Sequence, residues 1–185
     1  EQRRRPPRLP VAPDPMAAWN SAGPGARLMW LGHASWMVEL DGLTVLIDPL
    51  FGRAALAPRV VPAPLPVEAL PRIDAVLLTH GHYDHFDAPS LRALSRRFGA
   101  ELLAVLPRGL ARSLPAGLSG VELSWWEAVE LGGVQIALVP AQHWHRRGAF
   151  DQDRSLWGGF VLKGSRTVYH SGDTGFFEGF RTIGR

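Results

Sequence analysis

The chain has 185 residues, 46% of them hydrophobic and 20% charged, which suits one globular domain and leaves no room for two full ones. Net charge is +3 with a sequence pI near 10.1, but the basic residues are dispersed and all except Lys163 are arginines, so no continuous stripe of the nucleic-acid-binding kind stands out. Cysteine is absent, which excludes disulfides and thiolate ligands and leaves His, Asp and Glu to hold any metal.

Residues 1–26 open with EQRRRPPRLPVAPDP, rich in Arg and Pro with no apolar stretch behind it. The segment reads as a surface arm, neither signal peptide nor membrane span, ahead of a domain covering residues 27–185. No apolar run approaches the roughly 18 residues of a spanning helix, so the expected location is cytoplasmic, with peripheral membrane contact left open. Arg27 to Phe51 reads as two strands joined at Asp41-Gly42, a dipeptide of tight hairpins. Residues 54–72 carry many prolines and are expected to be an irregular loop.

IDAVLL (73–78) is apolar enough for a strand buried on both faces. After it, Asp87 stands where a helix N-cap would, Pro89 falls in the first turn, Leu91, Leu94 and Phe98 share one helical face, and Gly99 stops the helix. Further strands are expected at ELLAVL (101–106), VELSWW (121–126), VQIALVPAQHW (134–144), GGFVLKG (158–164) and RTVYHSGDTG (166–175), with a short helix at RGLARSL (108–114). Strands with interspersed helices and no internal repeat predict an α/β domain.

The chemistry gathers in LLTHGHYDHFDAPS (77–90). His80 and His82, two apart in an extended segment, project to one side and can share an ion, while Asp84 and His85 at the turn into the helix can point to a neighbouring position. The spacing HxHxDH therefore suits two adjacent metals, with a capped polar loop as the plainer alternative.

THGHYDHFD resembles the signature of metallo-β-lactamase-fold hydrolases, whose fold is an αββα sandwich. WLGHASWMVELDGLTVLIDPLF, PAQHWHRRGAFDQDRSLWGGFVL and HSGDTGFF are similar, in the same order, to blocks of the branch holding N-acyl-phosphatidylethanolamine-hydrolysing phospholipase D and the ascorbate-6-phosphate lactonase-like proteins. The resemblance implies that His80, His82 and His143 hold one divalent ion, that Asp84 and His85 hold a second, and that Asp173 bridges them. A water ionised between the ions would be the nucleophile, with Asp84 also orienting it. Zinc leads, and manganese or iron are compatible with the same donors.

Family members carry a further histidine ligand beyond the Asp173 block, where this chain has ended, so the sandwich is expected to be incomplete at its C-terminal side. The leading substrate class is a phosphodiester of the N-acyl-phosphatidylethanolamine type. A lactonase or other ester hydrolase, and a metal-binding protein or fragment without turnover, are the alternatives. Asp48 is expected behind a ligand imidazole, with a turn-starting Asp before Pro49 as an equal reading. Arg146 and Arg147 would suit a substrate phosphate, against ordinary surface arginines. His33 is expected to be satisfied by backbone, with the site rim second; His170 reads as structural, and His145 is left out of the metal set. Trp125, Trp126, Trp144 and Trp157 read as packing rather than a lipid-binding wall.

Overall fold

A computed structural model describes residues 12–23, 25–53, 59 and 61–185. Residues 1–11 and 24 of the expected arm and 54–58 and 60 of the proline-rich loop thus lie outside the described residues. Within the arm, Asp14 caps a short helix α1 (Pro15–Ser21) by accepting a hydrogen bond from the Ala17 N–H at 2.8 Å. Trp19 of that helix is buried in the same apolar cluster as the domain, so packing crosses the boundary drawn at residue 27.

The first expected hairpin is a three-stranded meander: β1 (Arg27–Gly32), β2 (Ser35–Leu40) and β3 (Leu43–Ile47). The β2–β3 turn falls at Asp41-Gly42, both with positive φ, as expected. The run from Arg27 to Leu40 breaks where Gly32 (φ +96°) and His33 (φ +53°) turn the chain through His33-Ala34, and Gly32 then pairs with Ser35. From β3 the pairing becomes parallel through β4 (Ala75–Leu77), β5 (Leu103–Pro107) and β6 (Ser119–Leu123), completing a six-stranded sheet in sequential order.

The expected strand at 121–126 ends at Leu123 because Trp126 adopts a left-handed backbone (φ +72°); the chain turns and enters a strand absent from the sequence reading, β7 (Ala128–Leu131). Beside it run β8 (Val134–Val139), β9 (Gly159–Lys163) and β10 (Thr167–His170), all antiparallel, as a second sheet. The short helix expected at 108–114 is only a 3₁₀ turn at Ala111–Ser113.

Alternation along the central strands divides the core. Val45, Ile47, Ala75, Leu77 and Val105 face Val134, Ile136, Leu138, Phe160 and Leu162 of the second sheet. Leu46, Val76, Ala104 and Leu106 point the other way, against Leu91 and Leu94 of helix α2 (Ala88–Phe98). β3 is buried on both faces, which fits a sequence that is apolar at every position except Thr44. The short helix α3 (Phe180–Ile183) shares a groove on the outer face of the second sheet with Val161, Thr167 and Tyr169. The layers are therefore those of an αββα sandwich.

The α2 cap also ties the helix to the β3 exit. Asp87 Oδ2 accepts from the Ser90 N–H (3.0 Å) and hydroxyl (2.6 Å), and Ser90 Oγ accepts from the Phe51 N–H at 2.9 Å. Asp87→Ala is expected to lower stability by about 1–2 kcal/mol with an unchanged denaturant slope, measured by urea unfolding.

Candidate metal centre

Every chemically conspicuous side chain lies at one rim of the sandwich, where β1, β3, β4, β8 and β10 all end. The loop after β4 begins with Thr79, whose N–H donates to Asp48 Oδ1 at 2.7 Å. It then tightens, with the His85 and Phe86 N–H groups both donating to the His82 carbonyl at 3.1 and 2.8 Å, which turns His85 away from His82. Gly81 must lack a side chain, because a Cβ there would overlap the His145 ring.

Three imidazoles converge. His80 Nε2 lies 3.0 Å and His143 Nε2 3.1 Å from His82 Nδ1. Nitrogens bound tetrahedrally to one zinc at ordinary bond lengths sit about 3.3 Å apart, so the trio is already spaced as a ligand set. The hydrogen-bond network behind it assigns a tautomer. Thr79 has one hydroxyl proton and donates it to Asp48 Oδ2 at 2.6 Å, so its oxygen accepts from His80 Nδ1–H at 2.9 Å and His80 Nε2 faces the trio with a bare lone pair. Burial first, then the neighbouring charge of His85, pushes the His80 pKa down to about 3. Burial likewise lowers those of His82 and His143. Neutral imidazole is the form a metal requires.

A second group adjoins the first. His85 donates through Nδ1 to Asp48 Oδ2 at 2.8 Å and turns Nε2 toward Asp173 Oδ1 at 3.3 Å and Asp84 Oδ2 at 3.8 Å. That Nε2 is buried and has no hydrogen-bond partner, since the Asp173 oxygen is within ion-pair reach but out of line. Burial opposes charge on His85, yet the Asp48 and Asp173 carboxylates outweigh it and raise its pKa to about 10. Contact with that imidazolium holds the Asp173 carboxyl well below the usual range. Asp48 is fully buried; burial would raise its pKa, but the charge and hydrogen bond of His85 win and lower it. Asp48 and His33 both have positive φ, +44° and +53°.

The structure thus brings His80, His82, Asp84, His85, His143 and Asp173 to one place, with Asp48 behind His80 and His85. His33 differs from expectation. Its Nε2 contacts Asp84 Oδ2 at 2.9 Å, at the site rather than on backbone; the only hint in sequence was a glycine before it in a strand-like run. His170 is structural, its ring bonded to the Ala34 carbonyl (3.2 Å) and the Gly172 N–H (3.1 Å).

The expectation that Arg147 engages a phosphate needs correction. Its Nη1 donates to the carbonyls of Gly81 (2.6 Å) and Phe86 (3.0 Å), and its guanidinium lies over the Tyr83 and Phe86 rings, so it clasps the loop of His80, His82, Asp84 and His85 instead. Arg146 bonds locally to the Gly148 carbonyl through Nε (3.1 Å), which fits the surface reading better than the substrate one. Trp157 packs as expected, donating to the Ala141 carbonyl at 3.0 Å, whereas Trp126 and Trp144 are exposed.

Two outcomes follow for the protein stripped of metal. The His80 contribution to stability is present above pH 6.5 and lost as pH falls toward 3; that of His85 is present below 6.5 and lost as pH rises through about 10. Thermal melts in chelator should therefore peak near neutral pH and decline on both sides, and zinc uptake at pH 8 should release protons, read by calorimetry in buffers of different ionisation enthalpy. Asp48→Asn should weaken zinc binding by about 10- to 100-fold, measured by competition with a chromophoric chelator.

Residues 44–185 match the family described as a beta-lactamase superfamily domain. An uncharacterized protein of Mycobacterium tuberculosis is 33% identical over 189 residues, covering 95% of this chain and 50% of that protein. The mitochondrial N-acyl-phosphatidylethanolamine-hydrolyzing phospholipase D of Saccharomyces cerevisiae is 34% identical over 162 residues, covering 80% of this chain and 34% of that one. The chain thus spans a third to a half of these relatives. The structure of a metallo hydrolase from Ignicoccus hospitalis superposes with a TM-score of 0.62 at 24% identity, over 85% of this chain and 64% of that one, which speaks for the fold. The match across most of the chain, in agreement with the fold, establishes that this chain belongs to the beta-lactamase superfamily domain family.

Proposed function

We propose that the chain carries the catalytic rim of a two-metal hydrolase acting on a phosphodiester of the N-acyl-phosphatidylethanolamine class. The observation that carries this reading is the adjacency of two donor groups, three neutral imidazoles in one and His85 with Asp84 and Asp173 in the other. Imidazole and carboxylate donors suit zinc. Divalent ions held by these donors would supply a water of lowered pKa, brought from 15.7 toward about 7, and would polarise the substrate oxygen.

The chain's own residues supply the rest. Asp48 and Thr79 hold Nδ1–H of His85 and His80, so both rings present Nε2 inward. Asp84 is partly exposed at the mouth of the site, where its carboxylate can orient the attacking water and take its proton. Asp173 lies across His85 from it and would join the two donor groups.

Support for a lipid rather than a small polar ester comes from the surroundings. An apolar cavity of about 640 Å³ between α1 and β1, lined by Trp19, Leu28, Met29 and Trp30, reaches Gly32, next to His33. Tyr83, Trp144, Phe150 and Phe176 are all exposed on segments flanking the donor residues, a disposition suited to touching a membrane surface. The yeast relative bears the name of an enzyme for that substrate.

The zinc-loaded protein should release N-acylethanolamine from N-acyl-phosphatidylethanolamine vesicles, leaving phosphatidic acid behind, and leave simple lactones intact. Lactone opening without headgroup release would shift the reading to the ester hydrolases. His82→Ala should lose turnover to the chelated background, and turnover retained in that variant would mean the nucleophile arises elsewhere.

A further inference from the structure

Building on the two-metal reading, we propose that His33 is itself a ligand of the second metal position, supplying a fourth donor beside Asp84, His85 and Asp173. His33 Nε2, Asp84 and His85 each offer a ligand atom within 4.8 Å of the others. The individual separations are 2.9 Å from His33 Nε2 to Asp84 Oδ2, 3.8 Å from Asp84 Oδ2 to His85 Nε2, and 3.3 Å from His85 Nε2 to Asp173 Oδ1. They bracket the roughly 3.3 Å expected between donors on one tetrahedral zinc.

One observation points to an ion rather than a simple polar contact. His85 Nε2 is buried, unpartnered, and directed into the space these groups enclose; a buried polar nitrogen left without a partner costs free energy, which an ion bound there would relieve. His33 is held in a left-handed backbone at the first position of the two-residue turn between β1 and β2, a conformation costing about 1–3 kcal/mol for most side chains. Trp30 secures that turn by donating its indole N–H to the His33 carbonyl at 2.8 Å. The turn is thereby stiffened where its side chain meets Asp84. The His33 and His85 rings lie edge to face with centroids 5.4 Å apart, so both reach the same carboxylate without stacking over it.

Both ends of the sequence therefore contribute to the second position: His33 from the first hairpin, Asp173 from the last strand exit. A simple hydrogen bond from His33 to Asp84 is the competing account, and the two differ in what the loaded site contains.

The test is zinc titration of the metal-stripped protein, wild type against His33→Asn, monitored by chelator competition and followed by a crystal structure with zinc. Asn is chosen because it tolerates the left-handed backbone yet falls short of Asp84. The wild type should bind two equivalents. In His33→Asn the first equivalent should keep its affinity, showing an intact fold, while the second weakens at least about tenfold. In the zinc-loaded wild type, His33 Nε2 should lie about 2.1 Å from the second ion. Two equivalents of unchanged affinity in the variant, or an ion beyond bonding distance with His33 still on Asp84, would overturn the assignment while leaving the two-metal reading in place. A wild type that binds no zinc overturns both.

Discussion

The rim depends on a single buried carboxylate. Asp48 is fully enclosed, and its two oxygens accept the Thr79 N–H, the Thr79 hydroxyl and His85 Nδ1–H. Such a charge is tolerable in the interior only because all three donors reach it. Its consequence travels outward along two paths. Through Thr79 it sets the proton position on His80, and directly it sets that on His85, so one side chain just past the end of β3 orients a ring in each donor group.

The rim exists because of how the two sheets are built. β3, β4 and β5 run parallel, so β3 and β4 finish on the same side and deliver Asp48 and the Thr79–His85 loop together. The second sheet contributes through the exits of β8 and β10, and an isolated bridge between Gln142 and Gly175 keeps those two exits side by side. His143 and Asp173 are thus brought near a loop more than fifty residues earlier by sheet packing, with no contribution from local sequence.

Local signals were readable where a residue's own chemistry settles its conformation. Asp87 and Gly99 delimit α2 because a carboxylate accepts helix N–H groups and glycine takes φ +65° without strain. Asp41-Gly42 marks the β2–β3 turn for the same reason. The HxHxDH spacing spoke for itself because four such groups within six residues have few other uses. Illegible were features set by distant partners. The break at His33 requires a left-handed backbone, uncommon for any residue but glycine, and β7 is a half-exposed strand with a weak pattern that follows a left-handed tryptophan. Arg147 looked like an anion receptor since a guanidinium's task is decided by which carbonyls lie within its reach, here those of Gly81 and Phe86.

That clasp has a mechanical meaning. Arg147 belongs to the same segment as His143, yet it grips both shoulders of the loop bearing His82, Asp84 and His85, while the Tyr83 hydroxyl grips back on the Arg147 carbonyl at 2.8 Å. The two segments therefore behave as one rigid jaw. A shift of His143 would therefore strain the contacts that hold the loop of His82, Asp84 and His85, so the spacing between the two donor groups is kept by protein contacts alone.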